Sequence, residues 1–502
     1  MKSSVFRTLC PNVGGALRPD WFVPAVTFII AALPGFAGPS ISVLLDQDKP
    51  FVMLAEADFR ALKMTLPDGG KHVTDLALAA PGGAFDPRDV AKIDPKMLGY
   101  EAEWIVERYT RYNLPWDITG LKLTSLDPEA KKYPWIVIMN GGAANVYEFY
   151  IDLKNRPGWG QYLAQKRNVL IVTIPGNFKY GGWEKPIAER DPAFLLDRDL
   201  TPDEVLVYNS VFTNRVIFQG LKQLLMKHTT GDLLLVGHST SGELPHLAQG
   251  DPELKARLNG RFLGWGSGGP VRVKSVIAAK KDADPAYKPA PTLTGGAGDE
   301  GGGRDWTKPG DFWLNSLARR TPQVYSRVYS RWSNPLYEPG DSVLDIATKW
   351  LDAEGRRRAN FKQPLEDFEH SDNFALKGAV EVGIEKALKK TGNPWKVDLE
   401  EVQKDLCSTS FSPAQGYRTM VWCVGKLDGH WNAIYPAQGG DVGIAAEYRL
   451  RNPKAKIRVI GWDLNITHYA HVEVPEQLAA AIVGVTDWMM KQDSATMTLT
   501  SL

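Results

Sequence analysis

The chain has 502 residues, of which 43% are apolar and 23% are charged, and its formal net charge is +1. This composition is typical of a soluble globular enzyme and excludes a disordered chain. Because charges of both signs are interspersed along the sequence, no basic surface for nucleic acid is expected.

The first 38 residues are predicted to be a signal peptide. Basic residues precede an apolar run over 21–37, which two prolines interrupt, and small residues follow it. We therefore expect a secreted or periplasmic protein that is cleaved near Gly38, with no stable membrane insertion afterwards. An uncleaved membrane anchor through 21–37 is the alternative, although this run is short for a spanning helix.

The N-terminal part of the chain, up to about residue 133, is predicted to contain antiparallel strands. Apolar and polar residues alternate over 76–80 and 103–112, and 117–125 is a further candidate strand. Such alternation is typical of strands with one face in water.

A parallel sheet is predicted next, because the apolar runs become nearly continuous. Runs without alternation indicate strands that are covered on both faces, and intervening helices indicate parallel crossovers. The predicted strands are 135–139, 168–174, 233–236, 261–265, 419–424 and 457–461, and the predicted helices are 159–165, 202–227, a helix after 243, and 475–491. The sequence thus predicts an α/β core over 39–265 and 417–502.

Residues 266–416 interrupt this pattern and are predicted to form a helical cap insertion. The stretch 295–303 is rich in glycine and reads as a loop, whereas 341–352 has the apolar spacing of an amphipathic helix. Aromatic side chains of the insertion could line a substrate pocket or pack the cap onto the core. They are Trp306, Phe312, Trp313, Tyr325, Tyr329, Trp332, Tyr337, Trp350 and Trp395.

The stretch 233–242 has the pattern of a nucleophile elbow. A short apolar strand runs into Gly237-His-Ser-Thr-Ser241, which leads directly into a helix-compatible run. Small residues on both sides of Ser239 allow the tight strand-to-helix turn that exposes a catalytic serine. The pattern departs from G-x-S-x-G at Ser241, and a Ser/Gly-rich turn that caps a helix is the alternative interpretation.

With these elements the chain resembles the α/β-hydrolases that carry an inserted cap. In that family the catalytic residues follow the order nucleophile, acid, histidine. The resemblance implies Asp428 as the acid, because it follows the strand 420–425 in a Gly-x-x-Asp turn. Asp463, at the end of the last strand, is a possible substitute.

The resemblance also implies His468 as the catalytic base. The histidine of this family lies between the last strand and the closing helix, and a second histidine and a proline often follow it. Here His471 and Pro475 stand in those positions, so His471 is expected to be a packing partner.

The oxyanion hole is expected to combine the backbone N–H of Thr240 with one from the loop 140–144. Gly142 is the first choice for the second donor and Ala143 is the next. Asn140 stands where the family commonly has histidine, and a plain Gly-Gly turn is the alternative interpretation.

The function implied by the resemblance is that of a serine hydrolase for a carboxylic ester of a bulky hydrophobic or aromatic small molecule. No metal or organic cofactor is expected. Hydrolysis of amides, as in capped aminopeptidases, is one alternative. A lyase or a binding protein on the same fold is another.

The remaining cysteines and ionisable residues have no clear catalytic pattern. Cys407 and Cys423 are either a disulfide or two free thiols, and no Cys/His cluster has the spacing of a zinc site. Near the motifs, His238, Glu243, His246 and His430 are interpreted as structural neighbours.

Overall fold

The computed structural model describes residues 40–47, 49, 51–79, 87–139, 149–151, 156–173, 175, 207–208, 211, 214–238, 241, 244–265, 392–402, 416–425, 452–462 and 470–500. The contacts within the chain divide it into Met1–Gly38 and Pro39–Leu502. The first unit lies outside the described residues, and the second contains the sheet and its helices.

Nine strands of the described residues form a single sheet. They are β1 (Phe51–Leu54), β2 (Tyr100–Arg111), β3 (Leu114–Ser125), β4 (Trp135–Met139), β5 (Val169–Thr173), β6 (Leu233–His238), β7 (Arg261–Trp265), β8 (Thr419–Gly425) and β9 (Lys456–Trp462). Their order is β1-β9-β8-β7-β6-β4-β5-β3-β2.

The sheet is mostly parallel. Strands β4 to β9 pair with parallel neighbours among themselves, and β1 pairs in parallel with β9. Strand β3 is antiparallel to both β2 and β5. The predicted fold class, a mostly parallel sheet with antiparallel N-terminal strands, is therefore confirmed.

The central strands are mostly apolar because both faces of the sheet are covered. All residues of β4, β5 and β6 are buried. Ile136 and Ile138 belong to one hydrophobic cluster, whereas Val137 and Met139 belong to a second. Since successive side chains of a strand point to opposite faces, these two clusters lie on opposite sides of the sheet.

Helices form the outer layers. They are α1 (Ile41–Leu45), α2 (Glu56–Ala61), α3 (Lys71–Ala79), α4 (Pro87–Val90), α5 (Pro95–Leu98), α6 (Trp159–Leu163), α7 (Asn214–His228), α8 (Leu244–Gly250), α9 (Pro252–Leu258), α10 (Ala470–Glu473) and α11 (Pro475–Thr500), with 3-10 turns at Pro67–Gly70 and Pro128–Lys132. Buried residues of α1, α6 and α11 join the cluster that contains Ile136. Those of α7, α8 and α9 join the cluster that contains Val137.

One predicted strand is wrong. Residues 76–80 were expected to form a strand, but 76–79 lie in the helix α3. The alternating residues there are leucine and alanine, which both favour helices, so the alternation is not one of apolar with polar side chains. The buried residues Val73 and Ala77 are four positions apart, as the inner face of a helix requires.

The β2–β3 hairpin extends beyond the rest of the sheet. Thr119 pairs with Thr173 at the carboxyl end of β5, so residues 114–118 continue past that end. Tyr112 and Asn113 form the turn, with φ of 56° and 60°. Two successive left-handed residues are what a two-residue hairpin turn of type I′ requires.

Part of the predicted insertion packs on this hairpin tip. The amide Nδ2 of Asn113 donates to the carbonyl of Lys396 at 2.9 Å, and the backbone N–H of Tyr112 donates to Glu401 at 3.1 Å. Val397 and Val402 are buried in the same cluster as Val137. The segment 392–402 thus belongs to the packed core, and the rest of the helical insertion up to residue 391 lies outside the described residues.

Cys423 is a free, buried thiol on β8. Burial raises its pKa to about 12, because the thiolate would lose its solvation. Of the two alternatives for this cysteine, the free thiol is therefore correct, and Cys407 lies outside the described residues. Within the described ranges, none of the helices combines the length and the apolar character that crossing a membrane requires.

Candidate active site

The predicted catalytic residues follow the ends of four parallel strands. Ser239 comes directly after β6, and the predicted oxyanion loop comes directly after β4. Asp428 follows the end of β8, and His468 stands between β9 and α10. Because parallel strands end at the same edge of a sheet, all four loops leave from one edge.

The catalytic side chains themselves lie outside the described residues. These are Ser239, Thr240, Asp428 and His468, with Gly142 and Ala143 of the oxyanion loop and the alternative acid Asp463. The structure therefore gives the positions at which their loops begin and end. The described residues that flank these loops show how the loop ends are arranged.

Described residues beside three of these loops form one cluster of buried rings, namely Phe149, His238 and His471. Phe149 is the first described residue after the oxyanion loop, His238 immediately precedes Ser239, and His471 lies three residues after His468. The centroids of the two imidazole rings are 4.7 Å apart, with an interplanar angle of 70°. The ring of Phe149 lies 4.7 Å from His471 and 6.1 Å from His238.

Buried neighbours hold this ring cluster in place. All three side chains are buried, and Trp159 of α6 packs against Phe149 at 6.0 Å and against His471 at 6.3 Å. Ring pairs at such separations attract one another beyond the effect of burial alone. The ends of the nucleophile, oxyanion and histidine loops are consequently held together.

A short paired segment holds Phe149 in place. Ile151 and Pro157 form an antiparallel bridge, and the N–H of Gly158 donates to the carbonyl of Tyr150 at 2.8 Å. The side chain of Gln161 donates to the same carbonyl at 2.7 Å. Residues 149–151 therefore have a fixed backbone position next to α6.

Ser241 connects the elbow to the neighbouring strand. Its hydroxyl is 2.9 Å from the carbonyl oxygen of Met139, the last residue of β4, and 2.7 Å from that of His238. The backbone N–H of His238 donates to the same hydroxyl oxygen at 3.0 Å. Ser241 is fully buried.

His246, on the helix after the elbow, is a packed neutral imidazole. Its ring stacks on Phe262 with the centroids 5.0 Å apart, and its Nδ1 lies 2.5 Å from the hydroxyl of Tyr417. Burial lowers the pKa of His246 to about 3, because the imidazolium would lose its hydration. The ring is therefore neutral near pH 7, and Glu243 and His430 lie outside the described residues.

Sequence reasoning did not find Phe149 and Trp159. Aromatic residues are common in this chain, and nothing in their spacing distinguishes these two. The sequence feature that could have indicated them is the Gly158-Trp-Gly160 stretch, in which two glycines flank Trp159. A β-carbon on Gly160 would lie 2.8 Å from the carbonyl oxygen of Phe149, so these glycines indicate a close backbone approach.

Among the aromatic residues of the predicted insertion, Trp395 lies within the described residues. It packs, partly buried, against the cluster that contains Val137. For this side chain the packing interpretation is correct. Within the described part of the chain, no group of three or more His, Cys, Asp or Glu side chains could hold a metal ion.

Comparison with known proteins gives distant likenesses. No protein-family model matches the chain, and no curated protein matches it by sequence. A thioesterase domain from the curacin biosynthetic pathway is 11% identical with a TM-score of 0.32, and the match covers 76% of this chain and 99% of that one.

Two further solved structures are similar at the same level. The enol-lactonase from Burkholderia xenovorans is 13% identical, with a TM-score of 0.33 and coverage of 75% of this chain and 97% of its own. A proline iminopeptidase-related protein from Thermus thermophilus is 12% identical, with a TM-score of 0.31 and coverage of 77% and 99%. At such low identity, the strand order and the common edge of the four loops say more about the site than these likenesses do.

Proposed function

We propose that this chain, with its mostly parallel sheet covered by helices on both faces, is an α/β-hydrolase, and that it is a serine hydrolase that cleaves carboxylic esters. In this fold the nucleophile leaves a central strand through a sharp turn into a helix, and a loop from a neighbouring strand completes the oxyanion hole. Here β6, the elbow and α8 supply the turn, and β4 supplies the neighbouring loop.

The observation that carries the proposal is the ring cluster of Phe149, His238 and His471. Each ring stands at the end of a loop that contains one part of the proposed machinery. A catalytic serine needs its base within hydrogen-bond reach and oxyanion donors on the far side of the carbonyl. The ring centroids of His238 and His471, which lie one and three positions along the chain from Ser239 and His468, are 4.7 Å apart, and this proximity supports the proposed pairing of serine and histidine.

The proposed reaction follows from the roles of these residues. His468 takes the proton of the Ser239 hydroxyl while the serine oxygen attacks the ester carbonyl carbon, and the N–H groups of Gly142 and Thr240 hold the oxyanion. The bond to the alcohol then breaks, and His468 gives its proton to the departing alkoxide. A water molecule, activated in the same way, attacks the acyl-enzyme and releases the carboxylic acid.

Two supporting residues complete this proposal. Asp428 is proposed to hold His468 in the required tautomer and orientation, as the acid of a triad does. Ala143 is the second choice for the oxyanion donor of the loop after β4.

The substrate is proposed to be a bulky hydrophobic or aromatic small molecule. Residues 1–38 are proposed to be an export signal.

Labelling with a fluorophosphonate probe tests the proposal directly, because the reagent reacts with an activated serine and not with ordinary ones. We expect the protein to be labelled and to hydrolyse a short nitrophenyl ester. Ser239→Ala should abolish labelling and lower kcat by about six orders of magnitude, as for the nucleophile of a comparable triad.

Ser125→Ala is the matched control. Ser125 ends β3, which runs antiparallel to its neighbour β5, so it lies at the opposite edge of the sheet from the site. This variant should be labelled like the unmodified protein. Labelling that persists in Ser239→Ala, or a protein that never reacts, would contradict the proposal, and the second result would favour a lyase or a binding protein.

A matched pair of substrates separates ester from amide hydrolysis. The nitrophenyl ester and the nitroanilide of the same aromatic acid differ in the scissile bond alone. We expect a larger kcat/KM for the ester. A larger value for an aminoacyl nitroanilide would favour the aminopeptidase-like alternative on the same triad.

A further inference from the structure

We infer that Ser241 is a positioning residue for this site, because its hydroxyl fastens the strand end that bears the nucleophile to the strand end that bears the oxyanion loop. This inference rests on the proposed function. It assigns a role to the one position at which the elbow departs from G-x-S-x-G.

The contacts of the hydroxyl span two strands. Met139 and Gly237 are the last paired residues of β4 and β6. The Ser241 hydroxyl accepts from the N–H of His238 at 3.0 Å, and its own proton is shared between the carbonyl of His238 at 2.7 Å and the carbonyl of Met139 at 2.9 Å. A shared proton of this kind is a three-centre hydrogen bond.

These contacts act on the two loops where the reaction takes place. The carbonyl of Met139 belongs to the same planar peptide as the N–H of Asn140, the first residue of the oxyanion loop. Fixing that carbonyl therefore fixes the direction in which the loop leaves β4. The contacts with His238 similarly fix the peptide units that lead into Ser239.

Burial makes the bridge strong. Ser241, His238 and Met139 are all buried, so water does not compete for these hydrogen bonds. Glycine, the usual residue at this position, has no side chain with which to form them. The departure from the motif therefore supplies a link between nucleophile and oxyanion hole that the motif itself lacks.

The simpler interpretation is that the hydroxyl serves stability alone, and Thr229 provides a matched control for it. The hydroxyl of Thr229 is also buried, donates to the carbonyl of Leu225 at 2.7 Å and accepts from Arg257 at 2.9 Å. Thr229 precedes the amino end of β6, at the opposite edge of the sheet from the site. Removing the Thr229 hydroxyl eliminates a comparable set of hydrogen bonds far from the proposed active site.

The experiment compares Ser241→Ala, Ser241→Gly and Thr229→Ala in the full chain. We measure kcat and KM for nitrophenyl acetate, the rate of fluorophosphonate labelling and the melting temperature. The initial burst of nitrophenol counts the active sites, so kcat refers to folded protein alone. Ser241→Gly restores the motif and keeps the test valid if the alanine variant does not fold.

Both Ser241 variants should lose about tenfold to a hundredfold in kcat and in labelling rate, with KM within about threefold, as small misplacements in an active site do. Thr229→Ala should lower the melting temperature and leave kcat within about twofold. If the Ser241 variants lose melting temperature alone, and their kcat and labelling rate stay within about twofold of the unmodified protein, the inference is overturned and the proposed function stands. If the unmodified protein is not labelled at all, the proposed function is wrong, and the inference about Ser241 is wrong as well.

Discussion

The backbone of Gly158 approaches that of Phe149 so closely that a β-carbon at Gly158 would lie 2.7 Å from both the carbonyl carbon and the carbonyl oxygen of Phe149. Real β-carbons do not come so near to backbone atoms, so any larger residue at position 158 must displace one of the two segments. Phe149 is the first described residue after the oxyanion loop and belongs to the ring cluster. A larger side chain at position 158 should therefore displace a residue next to the proposed active site.

Gly158→Ala should consequently reduce both stability and activity. We expect a loss of about 1–3 kcal/mol in the free energy of unfolding, the range for overpacking a buried site. We also expect kcat for a nitrophenyl ester to fall, since the loop after β4 would shift. Urea denaturation and steady-state kinetics measure the two effects.

Gly250→Ala is the control for this change. Gly250 ends α8, and a β-carbon there would meet nothing within 4 Å. Both stability and kcat should stay close to those of the unmodified protein, with a change in stability under about 0.5 kcal/mol. Equal behaviour of the two alanine variants would show that the approach of Gly158 to Phe149 does not matter.

The choice of the catalytic acid is a second prediction. Asp428→Asn should lower kcat by about four orders of magnitude, because asparagine would hold His468 in the wrong tautomer. Asp463→Asn should have a mild effect. If Asp463→Asn is the damaging change instead, the acid of the triad is Asp463.

The insertion is expected to select substrates. We propose that aromatic side chains of the insertion line the substrate pocket, so replacing residues 270–388 by a short linker should preserve hydrolysis of an acetate ester far better than that of a bulky aryl ester. The replacement must stop before residue 392, since Val397 and Val402 are buried in the core. Comparing kcat/KM for the two esters measures the effect.

The control for this experiment is to check that the shortened chain still folds. Its circular dichroism and its fluorophosphonate labelling should match those of the full chain. An equal loss of both esterase activities from a protein that is still labelled would contradict a substrate-selecting cap.

Glu107 should make the stability of the protein depend on pH. Its side chain is buried, which by itself raises the pKa of a carboxyl group, but hydrogen bonds from Lys227, His228 and Gln223 outweigh burial and lower the pKa of Glu107 below its ordinary value. A carboxylate with a depressed pKa stabilises the fold above the pKa of the unfolded chain. That contribution is lost as the pH falls through the pKa of the folded protein.

Glu107→Gln should therefore destabilise the protein by about 1–3 kcal/mol at pH 7, and the difference should shrink as the pH falls below 4.5, the ordinary pKa of a glutamate side chain. Urea denaturation over this pH range measures the difference. Glu103→Gln on the same strand is the control, because Glu103 pairs with Lys122 at 2.9 Å while more than half of its side chain is exposed. An exposed ion pair contributes under about 1 kcal/mol, so that variant should change little.

Much of the fold follows from the sequence alone. The strand Trp135–Met139 begins and ends where its apolar run does, and Arg261–Trp265 has no charged residue after Arg261, because a strand covered on both faces is mostly apolar. The strands β2 and β3 were also predicted, over 103–112 and 117–125, because apolar and polar residues alternate in the outer strand. The order of the motifs along the chain gave the proposed triad.

Other features depended on contacts between distant parts of the chain. Strand β1 was not predicted, because its four residues acquire their partner from β9, about four hundred positions later. The helix α3 was misread because the alternation of leucine with alanine was taken for a strand pattern although both residues favour helices, and its packing through Val73 and Ala77 is a tertiary contact.

The same division applies to the candidate site. The sequence by itself determined which residues could act as nucleophile, acid and base, since that depends on their chemical types and their order along the chain. Tertiary structure alone decided that Phe149, His238 and His471 form one buried cluster and that the Ser241 hydroxyl bridges β4 and β6. Such contacts depend on the register of neighbouring strands and on close backbone approach, and neither leaves a local pattern in the sequence.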